Sequence, residues 1–397
     1  MYKNKNIKKF PVLRLLRSVS LFVLCAVIFS CLGMGSCRGK EGNPAMTLTY
    51  GKNTTTFSSN IYSYYLSYTK TTFLYNYYAS MYQTYGMSLP EDISTLTDIP
   101  DLWTQELGDG VTYGDLVKVQ AEEIIKQMLA VVAYCKENDL TLSKEQINNI
   151  DLGIKEIISG YYGNSKAALN SALLKFNIDD GIFKEIKQYE SLSGVFGKDL
   201  FDSVTGKRKI TDDMINSVYQ ETCARVKHIL ILYSPGTYDE ENKPEQYSEE
   251  ELAARKAKVE DIYNRIAAGE DFENFLGESE DPGTQAYPDG YTVSETTSFV
   301  PEFIEGAFDM KIGEVRKVES SYGMHIMKKY ALLPPDQAVD MIDAGDTWRN
   351  VMNGEIQRYI ISEELKKYVE KIEIHTAETD LFDIATSSVM FDCLELR

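Results

Sequence analysis

The sequence predicts an α+β protein: a long helical block, then a compact unit that mixes strands with helices, then one more helix. Three observations predict it. Between residues 115 and 140, Leu116, Val119, Ile124, Met128, Val131, Val132 and Tyr134 recur near helical spacing, as a helix with a buried face requires. Far downstream stand two short runs rich in Ile, Leu, Val and Tyr, VKHILILYS (226–234) and YGMHIMKKY (322–330), which read as buried strands. Between them lies SEEELAARKAKVEDIYNRIAAGEDF (248–272), a helix with a Ser248…Glu251 capping box and Gly269 at its end.

Taken in order, residues 1–36 read as a targeting segment. Lys3, Lys5, Lys8, Lys9, Arg14 and Arg17 make a basic start, and the apolar stretch 18–35 follows it. It breaks at Gly33, Gly35 and Ser36, just before Cys37, with Cys31 as a second candidate for the cleavage cysteine. Residues 37–45 are a hydrophilic tether. Residues 46–220 are expected to be mostly helical, with a Ser143…Gln146 capping box opening one helix. The tyrosine-rich run 61–87 fits either a helix whose aromatic face packs on its neighbours or an adaptable surface for unfolded chains. Tyrosines at helical spacing favour the packed helix.

A polar stretch at 202–211 is read as a hinge into the mixed unit, 221–335. There the strand at 226–234 is followed by a loop, the capped helix, a short helix PEFIEGAF (301–308) opened by Pro301, and a Gly313–Glu314 turn. Strands flank Tyr322–Gly323. Residues 336–397 read as a helix at about 351–370 and a strand-like tail, expected to fold back onto the helical block.

Composition narrows the function. The net charge is −19, and removal of residues 1–36 leaves 35 basic against 60 acidic side chains, a charge of −25. Nucleic acid demands a basic footprint and is excluded as a partner. Adsorption to an anionic lipid surface is also disfavoured, so a lipid would have to hold the domain at a membrane. Beyond residue 37 only Cys135, Cys223 and Cys393 remain, without CxxC spacing, so neither a disulfide framework nor a metal site is indicated.

The chemistry is expected at His228 and His325, one in each apolar run. A histidine buried in a strand needs a hydrogen-bond partner. If the strands pair, each imidazole can face the other or a shared third group. The plainer reading keeps both as satisfied core side chains. A thiol hydrolase pairing Cys223 with His228 lacks the glycine-rich or helix-start context that activates a cysteine. His375, in IEIHTAE, reads as an edge-strand residue.

The order VKHILI, RIAAGEDFENF, SED, FVPEFIEGAFDMKIGEV, SSYGMHIMKK resembles the parvulin peptidyl-prolyl isomerase domain. With a lipid anchor, an N-terminal helical block and a C-terminal helix around it, the layout resembles the extracytoplasmic lipoprotein foldases of PrsA type and the periplasmic chaperones of SurA type. The resemblance implies an inserted domain of about four antiparallel strands with surrounding helices. It implies that His228 and His325 form a polar centre, that the family's Cys-or-Asp position falls on Asp281, and that no cofactor is used. It puts the proline pocket at Phe303 and Phe299, with Phe303 partly exposed toward substrate, adds Tyr291 and Met324 as substrate-binding residues, and makes Phe308 a packing aromatic. It makes Cys37 the lipidated residue.

Two stretches depart from the family pattern. YPDGYTV (287–293) replaces the usual Gly-Gly-Asp-Leu-Gly turn and TSF (297–299) replaces Gly-Gln-Met. Asp239, Glu240 and Glu241 stand where some relatives carry phosphate-binding basic residues, so a phosphorylated substrate would be repelled.

The resemblance therefore implies a prolyl isomerase that assists the folding of exported polypeptides at the outer face of the cytoplasmic membrane. The alternative is a lipid-anchored holdase whose parvulin domain has lost turnover. Pairing with a second copy of the chain is left open. A solute-binding protein is disfavoured, since no repeated βαβ pattern is visible.

Overall fold

The computed structural model describes residues 42–84, 88–237, 245–337, 347–391 and 393. Cys31, Cys37 and the acidic run 239–241 lie outside the described residues. Two compact units emerge, one within 1–197 and 368–397, the other 198–367.

Along the chain come strands β1 (Pro44–Tyr50) and β2 (Asn53–Ser58), helix α1 (Ser59–Thr84), short strands β3 (Glu106–Gly108) and β4 (Val111–Thr112), and helices α2 (Tyr113–Glu137), α3 (Lys144–Tyr161), α4 (Lys166–Leu173) and α5 (Asp180–Phe201). Then follow α6 (Asp212–Thr222), β5 (Cys223–Leu232), α7 (Glu249–Ala267), a 3-10 turn at Phe272–Glu278, α8 (Gly283–Ala286), β6 (Tyr291–Ser294), α9 (Pro301–Asp309), β7 (Val315–Glu319), β8 (Gly323–Tyr330) and α10 (Trp348–Val369). β9 (Ile372–Ile374) and α11 (Thr376–Thr379) close the order.

The first unit departs from an all-helical block at its start. β1 and β2 form an antiparallel hairpin, and β9 adds to the other side of β1 through Met46↔Ile374 and Leu48↔Ile372. Its signal was the Thr/apolar alternation on both sides of Gly51, which period-2 burial explains. α1 is buried on nearly all sides as far as Leu74, with Tyr62, Tyr64 and Tyr65 in the core. Tyr75, Tyr77, Tyr78 and Tyr82 further along it are half-buried.

Lys70 lies inside this unit with no exposed surface. Its Nζ donates to Asp98 Oδ2 at 2.6 Å and to the Ser387 carbonyl at 2.7 Å, while Asp98 also accepts from Trp103 Nε1 at 3.0 Å. Burial pushes the Lys70 ammonium below its ordinary pKa, and the bond to Asp98 opposes that shift. A buried charge survives only when paired and hydrogen-bonded.

In the second unit the strands form one antiparallel sheet in the order β6-β5-β8-β7. Side chains alternate between its faces. Ala224 and Val226 of β5 and Met327 of β8 share one face with Phe303, Ala307 and Met310 of α9. Ile229 and Ile231 of β5 and Ile326 of β8 share the other with Val259 and Ile262 of α7 and with Phe272 and Phe275. β6 was absent from the sequence reading, because YTVS is only four residues long.

The expected helix at 351–370 is α10, but its first turns do not fold onto the helical block. Trp348, Met352 and Ile356 recur every four residues and bury against Ile215, Tyr219 and Cys223 within the second unit. The end of α10 from Tyr368 and the tail beyond it, through β9 and Ser387, belong with the first unit.

Replacing Lys70→Ala would leave Asp98 without its counter-charge. Because Asp98 keeps 25% of its side-chain surface in water, a loss of about 3 kcal/mol is expected, at the low end for breaking a buried pair. Urea unfolding of the two chains measures it, and an unchanged midpoint would refute the role assigned to the pair.

Candidate active site

β5 and β8 pair so that His228 faces Met327 and Leu230 faces His325 across the ladder. His228 and His325 therefore sit diagonally on one sheet face, each 4% exposed. Their Nδ1 atoms are 2.9 Å apart and their rings lie within 15° of parallel.

From this pair hydrogen bonds run outward both ways. His228 Nε2 meets Asp281 Oδ2 at 2.7 Å, and Tyr291 Oη donates to the same oxygen at 2.6 Å. The Gly283 N–H donates to Asp281 Oδ1 at 3.0 Å. At the far end, Ser320 Oγ lies 2.8 Å from His325 Nε2.

The loop that carries Asp281 is fastened to the strand beside it. The Glu280 N–H donates to the Leu230 carbonyl, Ser279 Oγ accepts from the Leu230 N–H, and Glu280 accepts from the Leu232 N–H and from Arg255. Edge groups of β5 that no strand satisfies are thus satisfied by SED.

The hydrogen bond from His228 is the chief cause holding the Asp281 carboxyl well below the ordinary carboxylate range; burial opposes it, and the Tyr291 hydroxyl and Gly283 N–H reinforce it. Burial, with repulsion from His228 next, pushes His325 down to about 4. Burial and then the bond to Asp281 push the Tyr291 phenol upward, so it stays a donor. A charged carboxylate accepts only. With both imidazoles neutral, the donors therefore run one way: Ser320 O–H to His325, His325 Nδ1–H to His228, His228 Nε2–H to Asp281. Both histidines are committed to orienting Asp281, and neither offers a free nitrogen.

An aromatic floor underlies this line. Phe303 stacks on Phe299 at 5.0 Å and meets His228 and His325 edge-on at 5.0 and 5.2 Å. Tyr291 touches Phe299 at 5.3 Å and Tyr287 at 5.5 Å. A depression opens beside His228 between Leu276, Thr284, Tyr287, Pro288 and Tyr291.

The expectations for Phe303, Met324 and Tyr291 need correction. Phe303 is 1% exposed, a core ring rather than a partly exposed one, because Phe299 and both imidazoles cover it; truncating such a ring costs about 3–5 kcal/mol. Phe299 is the half-buried member. Met324 is on the wrong side of the sheet: it packs with Ile231 and Ile326 against α7. A one-residue step along a strand reverses the face, so Met327 lies on the site face. Cys223, odd-numbered on β5, packs with α6 and α10, away from the His228 face, which removes the thiol hydrolase reading. Tyr291 is 4% exposed, leaving little ring surface for a substrate. Phe308 packs at the edge of the Phe303 cluster.

Ser320 and Gly283 escaped the sequence reading. Ser320, in the turn before β8, had a signal in being a hydroxyl residue just ahead of a buried histidine. His375 caps the end of β9, its Nε2 3.0 Å from Thr47 Oγ1.

Residues 213–330 match the family model described as the PPIC-type PPIASE domain; the second unit is built around a parvulin-type peptidyl-prolyl isomerase domain. The chain is 26% identical over 308 residues to the foldase protein PrsA of Caldanaerobacter subterraneus subsp. tengcongensis, a match covering 74% of this chain and 84% of that one. A shorter stretch of 71 residues is 41% identical to the foldase protein PrsA of Halalkalibacterium halodurans, covering 17% of this chain and 21% of that one. Among solved structures, PrsA from Bacillus subtilis is similar at 20% identity over 73% of this chain and 91% of that one, with a TM-score of 0.22. Residues 213–330 are thus a parvulin-type domain, and the chain that carries them is similar to PrsA-type foldases.

The pH dependence of stability follows from His325. Its folded pKa of about 4 lies below the ordinary imidazole value of 6.5, so between those values the unfolded chain binds the proton first. Stability should be constant above pH 6.5 and fall as the pH drops toward 4, by about 2 kcal/mol at pH 5. Below that, Asp281, depressed in the fold, continues the loss in the same direction. Urea midpoints at pH 7 and pH 5 test this; equal midpoints would mean that His325 is not held neutral.

Proposed function

We propose that the chain is a peptidyl-prolyl cis–trans isomerase that assists the folding of exported polypeptides, with residues 221–335 as the isomerase domain and the helical unit as its chaperone part. The observation that carries this reading is the fixed carboxylate of Asp281, 2.7 Å from His228, beside an aromatic wall whose half-buried member is Phe299.

An X-Pro bond rotates over a barrier of about 18–20 kcal/mol and takes tens of seconds unaided. The reaction needs no nucleophile. The planar amide carries resonance charge, negative on oxygen, which the twisted transition state loses. An apolar wall desolvates that charge, and a carboxylate beside the carbonyl penalises it further, so both favour the twisted form over the planar ones. In this reading Phe299, backed by Phe303, holds the proline ring. Asp281 acts electrostatically, and His228, His325 and Ser320 keep it oriented.

The competing reading is a holdase. It draws on the burial of Phe303, since a floor that is 1% exposed gives an entering proline no ready face. A proline-peptide isomerisation assay on the purified chain decides between the two. Acceleration over the uncatalysed rate, reduced at least tenfold by Asp281→Ala with the fold retained, is expected for the isomerase. A rate equal to background would overturn the isomerase and favour the holdase.

The reading extends to location. Lipidation of Cys37 would hold the chain at the outer face of the cytoplasmic membrane, and among the described residues no helix is long and apolar enough to cross a membrane. Cys37→Ala is expected to shift the protein from the membrane to the soluble or unprocessed fraction, and Cys31→Ala to leave it anchored. The reverse outcome would move the anchor to Cys31.

A further inference from the structure

We propose that Tyr291 is a positioning residue rather than a wall of the substrate pocket: its hydroxyl fixes the Asp281 carboxylate together with His228, and Gly283 is a glycine to let it do so.

Three observations carry this. First, Tyr291 Oη and His228 Nε2 share one oxygen of Asp281, at 2.6 and 2.7 Å, while the other oxygen takes the Gly283 N–H. The carboxylate is thereby held by donors from a sheet strand, from β6 and from the start of α8. Second, Tyr291 is 4% exposed, and its ring lies among His228, Tyr287 and Phe299. It presents a hydroxyl to Asp281 and almost no surface to a ligand. Third, a Cβ placed on Gly283 would collide with the Tyr291 hydroxyl oxygen and sit only 3.1 Å from Cζ. Gly283 does not adopt a positive φ, so its backbone does not call for glycine. The close approach of the Tyr291 hydroxyl does.

The consequence is that YPDGYTV supplies what no apolar residue could at 291, a second side-chain donor to the carboxylate. Removing one hydrogen bond to a charged group concentrates the carboxylate's charge on His228 and frees the carboxylate to rotate. The groups facing Asp281 are His228 and, behind it, His325 from the sheet, with Tyr291 and Tyr287 from β6 and its preceding turn. Glu280 is turned away toward Arg255.

The test compares Tyr291→Phe, which keeps the ring, with Gly283→Ala, which keeps the hydroxyl but displaces it. The NMR resonance of the His228 Nε2–H in the full chain at neutral pH should move downfield in both variants, because the carboxylate that loses one donor binds the remaining one more strongly. Adding Gly283→Ala to the Tyr291→Phe chain should add little. An unchanged His228 Nε2–H resonance in both folded variants overturns the proposal. Its effect on turnover rests on the isomerase reading, where a fall of roughly tenfold in kcat/KM is expected. If the unaltered chain shows no isomerisation, that reading fails while the resonance still decides the role of Tyr291. A moved resonance without any change in turnover would confine Tyr291 to holding the carboxylate in place and overturn its catalytic consequence.

Discussion

The hydrogen-bonded line from Ser320 through His325 and His228 to Asp281 is the constraint on which the second unit depends. It crosses the middle of the sheet, where water cannot satisfy an imidazole, so every member must find its partner in the protein. Only the ionised carboxylate, an acceptor at each lone pair, gives the line a direction. Asp281 in turn stays within reach of His228, the chief support of its charge, because its loop is stitched to β5 by Ser279 and Glu280. The strand register, the loop path and the ionisation state thus support one another. None of the three can be changed alone.

The same logic explains what surrounds the line. The site face carries an aromatic cluster, Phe303, Phe299 and Tyr291, which keeps water from the imidazoles and holds His325 neutral. The opposite face is aliphatic, packed by α7 and the Phe272–Glu278 turn, and asks nothing of polar chemistry. One sheet therefore separates a structural core from a polar centre, and its two-residue period assigns each side chain to one or the other. In the first unit, Lys70 and Asp98 play a comparable local part, tying α1 to the Asp98 loop and to the backbone at Ser387.

Much of this was legible in the sequence because it is periodic. The capping boxes at Ser143 and Ser248 mark real helix starts, and the histidines announce themselves by standing in apolar runs. What was not legible depends on tertiary contact. Met324 and Met327 are equally apolar, and only counting from His325 by twos tells which shares its face. The burial of Phe303 is decided by Phe299, four residues before it, and by imidazoles from two distant strands. α10 reads as an amphipathic helix, yet its sequence does not say whether its apolar stripe meets α6 or the helical block. β6 is too short to show a period, and Ser320 became a site residue only once β7 and β8 paired.

The burial of Phe303 bears on how such a site can work on unfolded chains. Its ring is covered by Phe299 on one side and by the imidazoles on others, so a proline ring does not enter an empty cavity. On the proposed reading it packs instead on the half-buried Phe299 ring, covering part of one apolar face. The gain is then that of covering part of a ring, smaller than the roughly 1.5–3 kcal/mol of burying a whole side chain from water. On that reading weak binding suits an isomerase acting on unfolded chains, since a tightly held proline would not be released. The fixed carboxylate can then act on the amide without help from affinity, because its position is set by the protein and not by the substrate.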